Sequence, residues 1–559
     1  MKKENCLAYS QMKEHDSNLY GYAPAYDGEG IEELVYSYYL FGSYYVYEHG
    51  AKEKDYIDYC DKLKSCGFEL YSSNSSNGNS FATYFDGENI VNVSYISYRD
   101  VDKYIVRDVS YVLISVDSVR NSLLPCKAEK FEAVTDVKVS LVGFTGLVIR
   151  MLDGRFIVID SGMDKENIFN ALTEQNVLGG KPVVAAWLFS HAHGDHFNGF
   201  YYTLEDHADE IEIQTIVHNF PGESLYMPNK NYMEGVPNIE GEWMGRRNIK
   251  MDNYIKEKMP SCRYTIAHAG QIFEYAGVKI EVLQTSENLY KKQMFDSNMS
   301  SVVYMLTMPD GKLLALGDAV DQASKIIRKI HGKALKCDAV VLAHHGYNGG
   351  DEEMYFDADA RVAIWPLPVE EIVNKSLAGN FTNHFDYHSV KYNFIRSKDD
   401  PAMVLYHGMS AEEIERFVPK FEVRHYDDVC YESRKNPKHY ITEAQAAEGY
   451  GDAPRYYGRG EETETFVINP EDKTYEITVS GVTRYEYDYY WNSFKRDGYV
   501  RMEESADGDN RYVTFADLLN EVHLSFVDGV ITAKVGPAGK NVLDLDTMTV
   551  KGGKREISE

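Results

Sequence analysis

The chain has no apolar run near the roughly 18 to 20 residues that span a bilayer, which excludes an ordinary transmembrane helix. Behind the two lysines of Met1-Lys-Lys-Glu-Asn5 there is no apolar segment, so no secretory signal is expected and the cytoplasm is the expected compartment. Cysteine is scarce, with 7 residues scattered at 6, 60, 66, 126, 262, 337 and 430. No two form a C-x-x-C pair, which fits neither a disulfide framework nor a cysteine zinc site. Positive charge is also short: 58 Lys and Arg against 87 Asp and Glu give a net charge of -29. With no dense basic run, long nucleic acid is a disfavoured partner.

At 559 residues the chain exceeds what one hydrophobic core organises, so several domains are expected. Tyrosine is abundant, at 45 residues, and crowds the two ends. There, two stretches look alike. Tyr56, Tyr59 and Leu63 match Tyr487, Tyr490 and Phe494 at helical spacing, and Gly67 and Gly498 stand where each helix would end. Each has a candidate strand before its helix, Ser43 to Tyr47 and Thr474 to Val479, giving a β-α-β-β pattern. The reading is two copies of a small α+β module, with chance similarity as the alternative. The modules are expected at 1–130 and 465–559, and the acidic, Gly-containing stretch 443–464 as a linker.

Between them, Val137 to Val142, Gly146 to Met151 and Arg155 to Asp160 read as consecutive strands, the last two joined by the tight turn Asp153-Gly154. A helix is expected over Lys165 to Gln175, a strand over Val183 to Phe189, and a second helix over Gln322 to His331. Further strands are expected at Glu212 to Val217, Val278 to Leu283, Ser301 to Thr307, Lys312 to Leu316, Ala339 to Leu342 and Val362 to Trp365. This mixture describes a sheet core with outer helices.

Directly after the apolar run ending at Phe189 comes His191-Ala-His-Gly-Asp-His196. The small Ala192 and Gly194 let the backbone turn sharply, so that four donor groups can face one centre. Imidazoles with a carboxylate suit zinc, manganese or iron(II), and suit copper(I) poorly. A metal site is the natural reading; four ordinary loop residues would be a coincidence of spacing.

This H-x-H-x-D-H stretch resembles the motif of the metallo-β-lactamase fold superfamily of metallohydrolases. The resemblance extends in order through Phe156-Ile-Val-Ile-Asp-Ser-Gly162, Leu314-Ala-Leu-Gly-Asp-Ala319 and Val341-Leu-Ala-His-His-Gly-Tyr-Asn348. The last has the His-His-Gly form of branches near the competence-type DNA-uptake hydrolase domain. It covers about residues 135–430 and neither flank. It implies an α/β (α+β) fold, a four-layer αββα sandwich inserted between the two modules. It also implies two divalent metal ions, zinc first, with manganese or iron as alternatives.

Carried over, His191 and His193 would bind the first ion, Asp195 and His196 the second, and Asp318 would bridge them. His344 is the expected last ligand of the second ion and His345 the residue facing substrate, although the two could be exchanged. His218 is the expected third histidine of the first ion, with a plain loop histidine as the alternative. Such an ion pair lowers the pKa of a shared water toward about 7 and polarises a scissile group, so hydrolysis is expected. Asp195 would orient the nucleophile or accept a proton. Asp160 is expected either to accept an imidazole N–H or to cap a turn. Tyr347 and Asn348 are expected to donate to a developing oxyanion or to be surface residues. The pair His384 and His388 shares a helical face but lacks the neighbouring glutamate of the zincin pattern, so it reads as surface or substrate contact.

The leading expectation is a cytoplasmic binuclear hydrolase acting on a small phosphodiester. A lactonase, thioesterase or lactamase-like hydrolase comes next, then a di-iron redox enzyme. The non-enzyme alternative is a scaffold whose tyrosine-rich end modules bind a protein partner or a second copy of the chain.

Overall fold

In the computed structural model the described residues are, short internal gaps aside, 21–221, 250–289, 297–366, 392–395, 402–405 and 440–538, with two short strands at 543–544 and 549–550. The chain divides into two compact units. One holds the N-terminal module and a two-sheet sandwich, and the other holds the C-terminal module. No helix among the described residues is long and apolar enough to cross a membrane.

The N-terminal module is a six-stranded antiparallel sheet of β1 (Ile31–Tyr36), β2 (Ser43–His49), β3 (Glu69–Ser76), β4 (Asn79–Phe85), β5 (Ile90–Ile96) and β8 (Tyr111–Asp117), in the order β1-β2-β8-β5-β4-β3. A hairpin of β6 (Asp100–Asp102) and β7 (Ile105–Arg107) precedes β8 in the chain. Helix α1 (Glu53–Ser65) lays Tyr59, Cys60 and Leu63 on Val91, Val93 and Ile114 of the sheet. It stops where Gly67 turns left-handed, at φ +96, and Phe68 N–H returns to Leu63 C=O. The expected β-α-β-β core is therefore embedded in a larger sheet.

The sandwich has two mixed sheets. The first contains β9 (Lys138–Val142), β10 (Gly146–Arg150), β11 (Phe156–Ile159), β12 (Val183–Leu188), β13 (Glu212–Ile213), β14 (Thr215–His218), β15 (Arg263–Ile266) and β23 (Ala402–Leu405), in the order β15-β14-β12-β11-β10-β9-β23, with β13 beside β12. The second runs β16 (Ile272–Tyr275), β17 (Val278–Gln284), β18 (Val303–Met308), β19 (Gly311–Ala315), β20 (Ala339–Val341), β21 (Val362–Trp365) and β22 (Tyr392–Ile395) in chain order. Leu141, Ile149, Ile159 and Leu188 of the first sheet meet Ile280, Tyr304, Leu306 and Ile364 of the second in one buried core. Each such side chain contributes about 1.5–3 kcal/mol by leaving water. Helices α2 (Asn167–Gln175) and α3 (Gly194–His207) flank the first sheet; α4 (Asp321–His331) and α5 (Glu352–Ala358) accompany the second. The architecture is the four-layer αββα sandwich.

Strand ends differ from the sequence expectation by a residue or two. Three strands of the sandwich, β15, β16 and β22, are not announced by periodicity, because four residues are too few to show it.

The C-terminal module is again a six-stranded sheet, of β24 (Thr465–Asn469), β25 (Thr474–Ser480), β26 (Val500–Asp507), β27 (Asn510–Ala516), β28 (Asn520–Val527) and β29 (Val530–Pro537), ordered β24-β25-β29-β28-β27-β26. Numbered within each module, that order is the same as in the N-terminal sheet. Side chains repeat as well. Tyr59 Oη donates to Pro24 C=O at 2.7 Å and Tyr490 Oη to Pro454 C=O at 2.9 Å. The ring pairs Tyr26–Tyr59 and Tyr456–Tyr490 lie 5.6 and 5.4 Å apart. The core of this module begins before residue 465, since Tyr440, Ile441, Ala453 and Tyr456 are buried in it. The expected linker 443–464 is corrected accordingly: its acidic residues give it a solvated composition, while two of its apolar side chains point inward.

Candidate metal centre

Strand β12 is apolar and buried almost throughout, and the chain leaves it at Phe189, whose N–H is still held by Val217 C=O. Ser190 and His191 follow, and α3 begins at Gly194 with His193 as its N-cap. Asp195 and His196 therefore sit in the first turn of a helix rather than in a loop. That turn is pinned from below. Thr145 Oγ1 donates to Asp195 C=O at 2.6 Å and Ser161 Oγ to His196 C=O at 2.7 Å. Gly199 permits the approach, because a Cβ there would lie 2.4 Å from Ser161 O.

Asp318 arrives from the other sheet, just beyond β19, after Gly317 in a left-handed turn (φ +54). His344 and His345 follow β20 with φ of 49° and 60°. Two consecutive non-glycine residues in this region cost about 1–3 kcal/mol each, and His344 N–H is anchored on Gly317 C=O at 3.0 Å.

These elements bring together two donor groups that share one carboxylate: His191, His193 and Asp318; and Asp195, His196, Asp318 and His345. His191 Nε2 stands 3.0 Å from His193 Nδ1 and 3.7 Å from Asp318 Oδ2. His345 Nε2 stands 2.9 Å from Asp195 Oδ2 and 3.4 Å from Asp318 Oδ2. His344 belongs to neither group; its Nε2 lies 3.9 Å from Asp318 Oδ2 and 3.4 Å from Asn298 Nδ2. Of the two exchangeable histidines, the structure thus brings His345 to the donors and leaves His344 at the rim, its side chain 15% exposed.

The donors suit a cation. His196 Nε2 and Asp318 Oδ1 are buried, 3.0 Å apart, and make no aligned hydrogen bond, as atoms directed at a common ion would be. Burial alone would favour a neutral His196, but Asp318 and Asp160 outweigh it and hold its pKa well above the usual imidazole value. The cluster therefore favours positive charge. His191 is held well below its usual value, first by burial and then by His196, which keeps its ring neutral. Burial works to raise the Asp195 carboxyl, yet the hydrogen bond from His345 and the charges of His196 and His345 keep it well below the carboxylate range.

Asp160, itself left-handed at φ +57, places Oδ2 2.9 Å from His196 Nδ1 and accepts Ser190 N–H and Oγ–H at 2.8 and 2.7 Å. An Nδ1–H given to Asp160 leaves the Nε2 lone pair facing the centre. Ser190 and Ser301, which the sequence reading missed, place Oγ 3.1 and 3.3 Å from His191 Nδ1. Ser301 Oγ also accepts Asp318 N–H at 3.0 Å. The one available signal was Ser190 itself, a polar residue closing an otherwise apolar run.

His218 ends β14, fully buried, and is in neither group. Its Nδ1 accepts Phe220 N–H at 3.2 Å, and burial pushes its pKa down to about 3. The ring is therefore neutral, with Nδ1 turned to the backbone at Phe220. Tyr347, Asn348, His384 and His388 lie outside the described residues.

No protein-family model and no curated protein matches the chain. Among solved structures it is similar to a point mutant of the CmlA β-hydroxylase at 11% identity over 49% of this chain and 54% of that one, with a TM-score of 0.30. The shared part is thus about half of CmlA. It is also similar to the metallo-β-lactamase fold protein YhfI from Bacillus subtilis, at 9% identity over 49% of this chain and 100% of that one, TM-score 0.29. A third is zinc-bound PqqB from Methylobacterium extorquens, at 11% identity over 48% and 88%, TM-score 0.27. Likeness this slight carries no weight for function, which has to come from the side chains.

Proposed function

We propose that the protein is a metal-dependent hydrolase of the metallo-β-lactamase superfamily. In this reading His191, His193 and Asp318 hold one divalent ion, and Asp195, His196, Asp318 and His345 hold a second, with zinc as the first expected metal. The observation that carries it is Asp318, one carboxylate belonging to both donor groups. An ion pair there would supply Lewis acidity and an activated water. The chain's own residues do the rest. Asp318 sets the spacing of the two groups, Asp160 and Ser190 fix the tautomers of His196 and His191, and Asp195 stays ionised beside His345. His344, at the rim beside Asn298, is the group this reading assigns to donate to an oxygen of the substrate.

The first substrate class is a small phosphodiester, supported by the His-His-Gly form of residues 344–346; the net charge of -29 weighs against long nucleic acid. Lactones and thioesters follow. The cytoplasm remains the proposed compartment, supported by the free thiols of Cys60, Cys66, Cys126, Cys262 and Cys337.

The test is metal content by plasma mass spectrometry on untagged protein, paired with turnover of bis(p-nitrophenyl) phosphate. About two ions per chain are expected, with turnover lost on chelation. Protein that takes up no stoichiometric metal on reconstitution, or an Asp195→Ala variant that hydrolyses at the wild-type rate, would overturn the reading.

A further inference from the structure

Away from the metal centre, a second cluster of buried charge lies where the N-terminal module meets the sandwich. His268, which follows β15, places Nε2 2.7 Å from Asp117 Oδ1 at the end of β8 and Nδ1 2.7 Å from Glu287 Oε1 beyond β17. All three side chains are at most 3% exposed. Both carboxylates also accept from neutral groups on either side of the junction. Ser43 Oγ of β2 donates to Asp117, and Asn219 Nδ2 donates to Glu287 Oε2 at 2.8 Å. His268 N–H goes to Gln271 Oε1, and Gln271 Nε2 goes to Asn92 Oδ1 of β5, which also accepts from Thr83 Oγ1 of β4. Tyr45 of β2 sets its ring edge-on to His268, and Tyr47 Oη donates to Glu287 C=O. Asp117 and Glu287 are thus the charged groups that meet His268, one from the module and one from the sandwich.

We propose that Asp117, His268 and Glu287 form a protonation-dependent clamp: with His268 charged, the N-terminal module and the sandwich unfold as one unit, and with it neutral they are uncoupled. Two buried carboxylates on one imidazole are tolerable only while the imidazole is a cation. Removing that charge leaves the carboxylates uncompensated across the junction, the most destabilising way to break a buried ion pair. The geometry is joined by the electrostatics, since burial works against the charged ring but Asp117 and Glu287 prevail and lift its pKa to about 10. A folded value above the unfolded one contributes stability that is fully present below about pH 6.5 and lost as pH rises through about 10.

A second fastening carries no charge. Asn79 Nδ2 of the β3–β4 hairpin donates to Ile330 C=O, and Ser76 Oγ sits 2.9 Å from His331 Nδ1 at the end of α4. Helix α4 is the helix that Asp318 precedes. The clamp is peculiar to the N-terminal copy. By strand register Gly536 stands in the C-terminal module where Asp117 stands here, and His523 where Asn92 stands.

The test is scanning calorimetry of the full chain from about pH 7.5 to about pH 10.5, comparing wild type with His268→Gln and Asp117→Asn. At the lower pH the N-terminal module and the sandwich of wild type should melt together in one shared transition, whatever the separate C-terminal unit does. His268→Gln should melt several degrees lower there and approach wild type at the upper end, because wild type loses the clamp and the variant has none to lose. Asp117→Asn should move the alkaline fall of the melting temperature to lower pH. His331→Gln, at the uncharged fastening, should lower the melting temperature equally at both ends. The clamp is refuted if the gap between His268→Gln and wild type is the same at both ends of the range. It is equally refuted if the Asp117→Asn profile overlays wild type; that variant decides alone if His268→Gln does not fold.

Discussion

Asp160 Oδ2 lies 2.9 Å from Nδ1 of His196, and this contact holds the buried ring with Nε2 facing Asp318 Oδ1 at 3.0 Å. Because Ser190 gives Asp160 both its N–H and its Oγ–H, the carboxylate is held on three sides. Asp160→Asn keeps the size but removes the charge that fixes the ring. Metal affinity should fall about 10–100-fold, the usual cost of such supporting partners, as read by competition with a chromophoric chelator. Unchanged affinity would mean that His196 is oriented by packing alone.

The adjacent histidines separate cleanly. His345→Ala removes a donor that stands 2.9 Å from Asp195 Oδ2, so the purified variant should carry about one ion fewer by plasma mass spectrometry. His344→Ala removes a rim group outside both donor sets and should keep its metal while turnover drops, by about 10²-fold if the ring donates to the transition state. Equal metal loss in both variants would contradict the division of roles.

Much of this was legible in the chain. The strands flanking the centre are apolar and end in polar motifs, so His191, His193, Asp195, His196 and Asp318 could be placed at strand ends from the sequence alone. The choice between His344 and His345 could not, because it depends on two left-handed residues in succession, a conformation that side-chain identity does not disclose. His218 ends a strand in the expected way, and the Phe220 N–H that its Nδ1 accepts is a backbone contact invisible to spacing. The repeat showed through Tyr59 and Tyr490, while the matching Pro24 and Pro454 carbonyls lie far away in sequence and emerge only when the sheet closes. The 443–464 stretch misled because composition reports what faces water, and Ala453 and Tyr456 face the core.

Since Asp318 belongs to both donor groups, Asp318→Asn should strip both ions rather than one, with metal content near zero on the same assay that finds about two in wild type. Chelating the wild-type protein should also lower its melting temperature. An ion present at 100 times its dissociation constant contributes about 2.7 kcal/mol, and that contribution disappears with the ion. Retention of one tightly held ion in Asp318→Asn would show that the two groups are independent sites.

The junction between module and sandwich leaves no room at Gly270. Its φ is +86, and a Cβ would fall 2.0 Å from Cγ and 2.2 Å from Cβ of Phe81, a buried β4 side chain. Gly270→Ala therefore meets two penalties: about 1–3 kcal/mol for a side chain in the left-handed region and a clash with a buried ring. Phe81→Gly, which also removes the Phe81 Cβ that would lie 2.2 Å away, relieves the second and leaves the first, while losing at least about 3–5 kcal/mol of its own for the emptied space. The double variant should consequently be more stable than the sum of the two single losses predicts, by about 0.5–3 kcal/mol of coupling, measured by urea unfolding of the full chain. Strictly additive losses would show that Phe81 and Gly270 are not in the contact described.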